Sequence, residues 1–566
     1  MPGIDEERLL GYHRYTRERG VNRPLYYLVR AALVPFFLLY FRLSRFGREH
    51  GKVTGPLIVA ANHRSFLDPF VIGASLPWRR PLHYVAKVEL FEKRWQAWIL
   101  NRLGAYPVRR GQSDEETLIT SREVLERGRA ICIFPEGTRH RTGSLARPKR
   151  GFGRLALETG AAVLPVAVHG TEQVRRGWRI RPKKVKVRLG RALTFPRTED
   201  PSPALANSVG ARIWPVIELQ WEWLGGLPPL RKAAVIGAGS WGTAVAVLLA
   251  RGGLDVQLGT RTAERAEEMN ETRTNEQYLP GVQLPDSLVV KRAAEIELAG
   301  IDLVCLAVPS AALPQAVGAI GDRVGQRASV LLLSKGMVAP MAALPTEYVS
   351  ERVRARALAS LGGPAHAKEA VSGTAALVLG STDADLRDQL GSVFDEAGLV
   401  CERSEDVIGV EVAGAAKNAA ALAGAAARSQ GMNAAGIATA QVWRECVAYA
   451  RARGAEHETF AGIAGVGDLT ATILAEGSRN RRAGELLGEG TPAEQIPGII
   501  GQASEAIDSV PLIADAIRRF GMDCDALDGL AALISGEISP GEWMSRVRQA
   551  ERLRRNTESG VGGRAA

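Results

Sequence analysis

The chain has 566 residues, 46% of them hydrophobic and 23% charged, an ordinary globular balance that excludes a long disordered chain and a fibre. At about 150 residues per domain, the length predicts three or four domains. The net charge of +11 hides an asymmetry. Residues 1–230 carry 39 Lys and Arg against 20 Asp and Glu, a net of +19, and the remainder carries 33 against 41, a net of −8. The basic part suits phosphorylated ligands, an anionic membrane surface or nucleic acid, against the plainer reading of a solvated basic face. Cys132, Cys305, Cys401, Cys446 and Cys524 form no CxxC pair. A reducing compartment is expected from this, with neither a disulfide framework nor a zinc site. Met1 to Arg23 is polar and mixed in charge, and does not read as a signal peptide.

In chain order, the first apolar stretch is Leu25 to Leu43, whose longest uncharged run is Ala31 to Phe41 and which contains Pro35. That run is shorter than the ~20 residues of a spanning helix. Three readings stay open for it: a buried core helix, an interfacial helix with Tyr, Phe and Arg near headgroups, and a transmembrane helix.

The strand-like Leu57 to Ala61 leads into Asn62-His63-Arg64-Ser65-Phe66-Leu67-Asp68. If a tight turn brings Asp68 to one imidazole nitrogen of His63, the other can take a proton from a substrate hydroxyl, as acyl transfer requires. Alone, this spacing is as well met by a structural histidine. A second strand, Ile131 to Phe134, runs into Pro135-Glu136-Gly137-Thr138-Arg139, placing a carboxylate, a hydroxyl and a guanidinium on one loop suited to phosphate. Between them lies Gly104 to Gly111, with Arg109 and Arg110. Val163 to Ala167 is a further strand, and its Pro165 predicts an edge position or a strand start.

Together and in this order, the four blocks resemble the glycerolipid acyltransferase family over about residues 50 to 200. The resemblance implies His63 as general base and Asp68 as its partner. It implies Arg110, Glu136, Gly137, Thr138 and Arg139 as holders of a phosphate-bearing acceptor, and an acyl thioester on coenzyme A or acyl carrier protein as donor. Such ligands, with an anionic membrane, account for the +19 charge. No nucleic-acid motif accompanies it, so nucleic acid is not expected.

The Gly- and Pro-rich segment Trp221 to Lys232 marks a boundary near residue 228. The strand Ala233 to Ile236 then enters Gly237-Ala238-Gly239-Ser240-Trp241-Gly242 and an apolar helix, the setting that a dinucleotide pyrophosphate needs. After the next strand, Leu254 to Gly259, the usual acidic residue is missing. Arg261 stands there, which points to NADP or to use of both cofactors, against the reading of a solvated helix-start residue. Further blocks follow at 275–281, 308–310, 334–336, Gly363 to Glu369, Asp406 to Asn418, Gly465 to Leu469 and Ser478 to Arg482. These resemble the NAD(P)-dependent glycerol-3-phosphate dehydrogenase family along 232 to about 545. After residue 405 the chain turns Ala-rich and helical.

Beside that resemblance, reducing a carbonyl needs a proton donor and a cation at the developing alkoxide. A lysine in an Ala-rich helix ordinarily faces solvent; the resemblance instead makes Lys417 the proton donor and Lys335 the second cation. It places Gly363, Asn418, Asp468, Thr472, Ser478, Arg479 and Asn480 at the substrate. It places Gly237, Gly239, Ser240, Trp241, Gly242, Arg261, Lys335, Ala367, Arg479 and Glu505 at the cofactor. No metal is expected. The sequence departs from the family at His366, at Gln441 and around Gln502 to Ala506.

The expected architecture is an α/β acyltransferase domain (1–228) with an N-terminal membrane-associating segment, a doubly wound Rossmann domain (229–405), an all-α substrate domain (406–553) and a disordered tail (554–566). The expected function is bifunctional. Dihydroxyacetone phosphate is reduced by NAD(P)H to glycerol 3-phosphate, and an acyl group is passed to glycerol 3-phosphate or its 1-acyl derivative. Alternatives are acylation before reduction, and a dehydrogenase carrying a non-catalytic membrane-recruitment module. Homodimerisation and a cytoplasmic place at the membrane face complete these expectations.

Overall fold

The computed structural model describes residues 5–109, 114–139, 145–146, 148–149, 151–475, 477–501 and 504–548. Arg110 and the tail 554–566 lie outside the described residues. The chain divides into two compact units, Met1–Pro229 and Leu230–Ala566.

The first unit is built on a seven-stranded sheet in the order Ser44–Phe46, Lys186–Leu189, Ala162–His169, Leu57–Ala61, Ala130–Ile133, Leu82–Lys87, Ala105–Val108. The strands from Ala162–His169 to Ala105–Val108 are parallel, and Lys186–Leu189 runs against Ala162–His169. Leu57–Ala61 is apolar throughout because both its faces are covered. Leu57, Val59 and Ala61 pack with Phe37 and Phe41, and Ile58 and Ala60 pack with Val209, Ile213 and Trp214. Pro165 corrects the edge-strand expectation, since its strand is interior. Its carbonyl accepts from Gly190 N (2.8 Å). On that side the ladder jumps from Leu193 opposite Val163 to Leu189 opposite Val166. The missing N–H therefore falls in a gap in the ladder.

The apolar N-terminal stretch forms a helix, Arg23–Tyr40, capped by the Asn22 side chain. One side docks on the sheet through Tyr26, Arg30 and Phe37; on the other, Leu28 and Leu39 are 70% and 81% exposed. The buried Arg30 guanidinium donates to the carbonyls of Leu76 (2.5 Å), Pro77 and Trp78, at the negative end of helix Asp68–Ser75. Among the described residues, no helix is long and apolar enough to cross a membrane.

The second unit carries an eight-stranded sheet in the order Leu288–Arg292, Asp255–Thr260, Lys232–Ile236, Leu303–Leu306, Ser329–Leu332, Leu358–Gly362, Ala376–Gly380, Val400–Ser404. All neighbours are parallel except Leu358–Gly362 with Ala376–Gly380. Helices follow. Val407–Ala427 is buried along nearly its whole length, so its alanines are packing residues. The helix Arg479–Gly488 crosses it so closely that a Cβ on Gly484 would lie 2.3 Å from the Leu422 carbonyl oxygen. The five cysteines are buried and unpaired. Among the described residues, no cluster of three or more His, Cys, Asp or Glu could hold a metal.

Candidate active sites

In the first unit the loop after Leu57–Ala61 is folded around a carboxylate. Asp68, fully buried at the start of helix Asp68–Ser75, accepts on Oδ2 from the backbone N–H of Arg64 (2.6 Å) and Ser65 (2.7 Å). The same oxygen lies 2.9 Å from His63 Nδ1. Nδ1 therefore carries the proton, and Nε2 presents its lone pair. Asp68 Oδ1 accepts from the buried Thr171 Oγ1 at 2.5 Å. The ring of His63 stacks on Phe134, with centroids 3.9 Å apart. Asn62 ties two strand ends together, donating to Val168 O (2.9 Å) and accepting from Val168 N (2.8 Å).

The Pro-Glu-Gly-Thr-Arg loop meets this histidine. Arg139 Nε lies 3.3 Å from His63 Nε2, and Gly137 turns the loop at φ +75°. Thr138 and Arg139 are exposed. Glu136 is placed differently from the expected acceptor contact. It is 2% exposed and accepts from His63 N (2.7 Å) and Ala146 N (3.3 Å). Burial lifts its carboxyl to about 7 against those N–H groups. Glu136 thus ties the loop that carries His63 to the backbone at Ala146. Thr171 was not singled out from the sequence; only its place just after an apolar strand marks it.

His63 and Arg139 line a cavity of about 300 Å³ together with Arg30, Lys87 and Gln96 and with a majority of apolar side chains, including Leu33, Val34, Phe66, Phe70, Leu100 and Phe134. The arrangement offers a base, a nearby guanidinium and a largely apolar recess.

In the second unit, Lys232–Ile236 delivers Gly237 at φ +115°, and helix Ser240–Arg251 begins immediately after the loop. A Cβ on Gly242 would sit 2.0 Å from the Gly237 carbonyl oxygen, whereas nothing lies within 4 Å of one on Gly239. The turn is closed beneath and open above, leaving room at the helix N-terminus for a pyrophosphate. These residues fit a dinucleotide.

Facing that turn is a cavity of about 420 Å³ lined by Gly239, Ser240, Trp241, Gly242, Lys335, Ala367, Lys417, Asn418, Asp468, Thr472, Ser478, Arg479, Asn480 and Glu505. Asp468 is delivered by a π-helical turn, Ile463–Gly467, and lies between the two lysines. Lys335 Nζ is 2.8 Å from Oδ2 and Lys417 Nζ 3.3 Å from Oδ1. Lys335 also donates to Gly363 O (3.1 Å), and Lys417 to Thr472 Oγ1 (2.9 Å). Asn418 donates to Lys335 O (3.1 Å) and accepts from Asn480 (2.8 Å), whose own carbonyl oxygen accepts from Ser504 (2.8 Å). Burial takes the Lys417 ammonium down to about 8, with Lys335 adding to the shift and Asp468 opposing it. Burial would raise Asp468, but the two lysines hold it below the usual carboxylate range. Glu505 is raised by burial, against Arg479 and the two lysines. Gly237 underlies the turn. Arg261 is exposed beyond the end of Asp255–Thr260 and does not line the cavity.

A parallel sheet with a glycine turn, facing a lysine-bearing helical domain across one cavity, defines a nucleotide-dependent dehydrogenase. Residues 232–387 and 406–545 match the family models for the N-terminus and C-terminus of NAD-dependent glycerol-3-phosphate dehydrogenase, and residues 44–169 match an acyltransferase family model. The glycerol-3-phosphate dehydrogenase [NAD(P)+] of Streptomyces griseus is 35% identical over 330 residues, 57% of this chain and 98% of that protein. That of Variovorax paradoxus is 36% identical over 329 residues, 56% and 96%. The crystal structure of glycerol-3-phosphate dehydrogenase from Coxiella burnetii is 26% identical, with a TM-score of 0.52, covering 56% of this chain and 99% of that one. The chain belongs to the NAD(P)-dependent glycerol-3-phosphate dehydrogenase family, and carries an acyltransferase-family domain ahead of it.

Proposed function

We propose that the chain performs two reactions: reduction of dihydroxyacetone phosphate to glycerol 3-phosphate in residues 229–553, and acyl transfer to glycerol 3-phosphate or its 1-acyl derivative in residues 1–228. The carrying observation is that one chain holds both a carboxylate-bound histidine facing an apolar cavity and a Lys–Asp–Lys cluster facing a dinucleotide turn.

For the reduction, Gly237, Gly239, Ser240, Trp241 and Gly242 would hold the cofactor, with Ala367 and Glu505 beside it and Arg261 at the ribose. Bound NAD(P)H supplies the hydride. Lys417 gives its proton to the carbonyl oxygen, and its lowered pKa suits that transfer near neutral pH. Lys335 stabilises the same oxygen, and Asp468 fixes both ammonium groups. Arg479 and Asn480 receive the phosphate, with Gly363, Asn418, Thr472 and Ser478 shaping the pocket.

For acyl transfer, the acceptor phosphate meets Arg139, Thr138, Gly137 and Arg110. His63 Nε2 takes the proton of the acceptor hydroxyl as its oxygen attacks the thioester carbonyl carbon. The C–S bond breaks, and the imidazolium returns the proton to the thiolate of coenzyme A or acyl carrier protein. Asp68 holds the imidazole throughout. The chain of the donor lies in the apolar cavity. Linking the two parts raises the local concentration of the shared metabolite.

The test is to incubate purified full-length protein with dihydroxyacetone phosphate, NADPH and a labelled acyl donor, with no lipid acceptor. Labelled 1-acylglycerol 3-phosphate that depends on NADPH is expected. NADPH consumption without labelled lipid, unless added 1-acylglycerol 3-phosphate is acylated, would reduce the first unit to a recruitment module.

A further inference from the structure

The segment from Gln173 to Thr198 holds no Asp or Glu, and its portion Val174 to Lys184 reads VRRGWRIRPKK, with six basic residues. It folds as a small hairpin, Arg175–Arg176 paired antiparallel with Arg179–Ile180. Gly177 turns it at φ +61°, and Arg181 N donates to Val174 O (2.7 Å) at its base. Val174 is buried and anchors the hairpin, while Trp178 at the tip is 82% exposed. Arg175 and Arg179 are exposed on the hairpin, and Lys183 and Lys184 are exposed just after its base. Arg179 lies over the Trp178 ring, its guanidinium carbon 5.2 Å from the centroid.

The hairpin is fixed to Phe66 and to the end of helix Arg23–Tyr40, both of which belong to segments that line the cavity. The Arg175 guanidinium lies over Phe66, which lines it, with 5.9 Å between guanidinium carbon and ring centroid. Tyr40 Oη donates to Ile180 O (3.0 Å) and Arg42 to Pro182 O (3.3 Å), joining the hairpin to the end of helix Arg23–Tyr40. Leu33 and Val34 of that helix line the cavity, and Phe36, Leu39 and Tyr40 continue it as an exposed apolar strip.

An indole held in solvent at a turn, with a guanidinium over its ring, on a segment rich in cations and without carboxylates, matches a surface with an apolar interior and an anionic rim. We propose that the 174–184 hairpin, with the end of helix Arg23–Tyr40, is the element by which the first unit docks on an anionic bilayer, Trp178 entering between the headgroups. The docking rests on the acyl-transfer reading only in its purpose, which is to set the cavity at the lipid surface. The fit itself is one of shape and charge.

The test is co-sedimentation of full-length protein with vesicles of phosphatidylcholine alone or mixed with phosphatidylglycerol. Binding to the mixed vesicles is expected, weakened at least about tenfold by Trp178→Ala and falling with salt. Arg175→Gln with Arg179→Gln is expected to weaken binding and flatten the salt dependence. Circular dichroism melts check that each variant folds. Should Trp178→Ala misfold, brominated lipid provides the reading: it quenches wild-type fluorescence more than that of Trp178→Phe. Equal binding to neutral and anionic vesicles, or wild-type binding by a folded Trp178→Ala, would overturn the proposal. So would a dimer lost on Trp178→Ala while vesicle binding persists. Acyl transfer is measured on the same samples. Trp178-dependent binding without any acyl transfer leaves the docking standing and removes the catalytic reading.

Discussion

Lys417 is the residue on which the proposed reductase chemistry turns. Its pKa is lowered to about 8, first by burial and then by Lys335, and is supported by Asp468. Reduction uses the protonated form, so its rate is expected to fall as pH rises through about 8, while oxidation of glycerol 3-phosphate falls as pH drops below it. Removing the negative neighbour with Asp468→Asn moves the reductive limb to lower pH; removing the positive one with Lys335→Met moves it higher. Rate–pH profiles of the three proteins check the order. At the other site, Asp68 is held by the Thr171 hydroxyl, which lies outside the four sequence blocks. Thr171→Val leaves Oδ1 of a buried carboxylate without its donor, at a cost of about 1–3 kcal/mol. Acyl transfer is expected to drop about tenfold or more, with Thr171→Ser retaining most of it. Glu136→Ala separates two roles for one carboxylate. Acting on the His63 and Ala146 backbone, its loss lowers the melting temperature of the first unit; an acceptor contact would instead raise KM in a protein of unchanged melt.

At the scale of elements, the glycine turn carries the sharpest prediction. Gly242→Ala places a methyl against the Gly237 carbonyl oxygen and pushes helix Ser240–Arg251 off the strand. The KM for NADPH is expected to rise at least about tenfold, as steady-state kinetics will read. This turn was legible in the sequence because its constraint is local: glycines at fixed offsets between a strand and a helix. The His63–Asp68 pairing was legible for the same reason, since five residues of one loop carry it. Thr171 was not, because it reaches Asp68 across 103 positions and shares no local pattern with it. Pro165 misled because an edge strand is the usual home of proline, and the ladder gap that admits it lies between Leu189 and Leu193 on the neighbouring segment. The helix Arg23–Tyr40 left its readings open because hydrophobicity alone does not say which side is covered. Its buried Tyr26, Arg30 and Phe37 answer to the sheet, and its exposed Leu28 and Leu39 do not.

For the whole molecule, the charge asymmetry follows the division into units. The basic charge lies with the apolar cavity and the hairpin, where anionic lipid, phosphorylated acceptor and anionic donor are proposed to meet. The mildly acidic remainder places three of its cations, Lys335, Lys417 and Arg479, in one cavity. Each unit has its own cavity and its own proposed proton-transfer group, so the two proposed activities are expected to fail separately. The most direct measurement is to assay both reactions on full-length His63→Ala and Lys417→Ala. We predict that His63→Ala loses acyl transfer about a hundredfold or more and reduces dihydroxyacetone phosphate as wild type does, and that Lys417→Ala shows the reverse. Wild-type acyl transfer by His63→Ala, or no acyl transfer by the wild-type chain with either acceptor and either donor, would contradict the account.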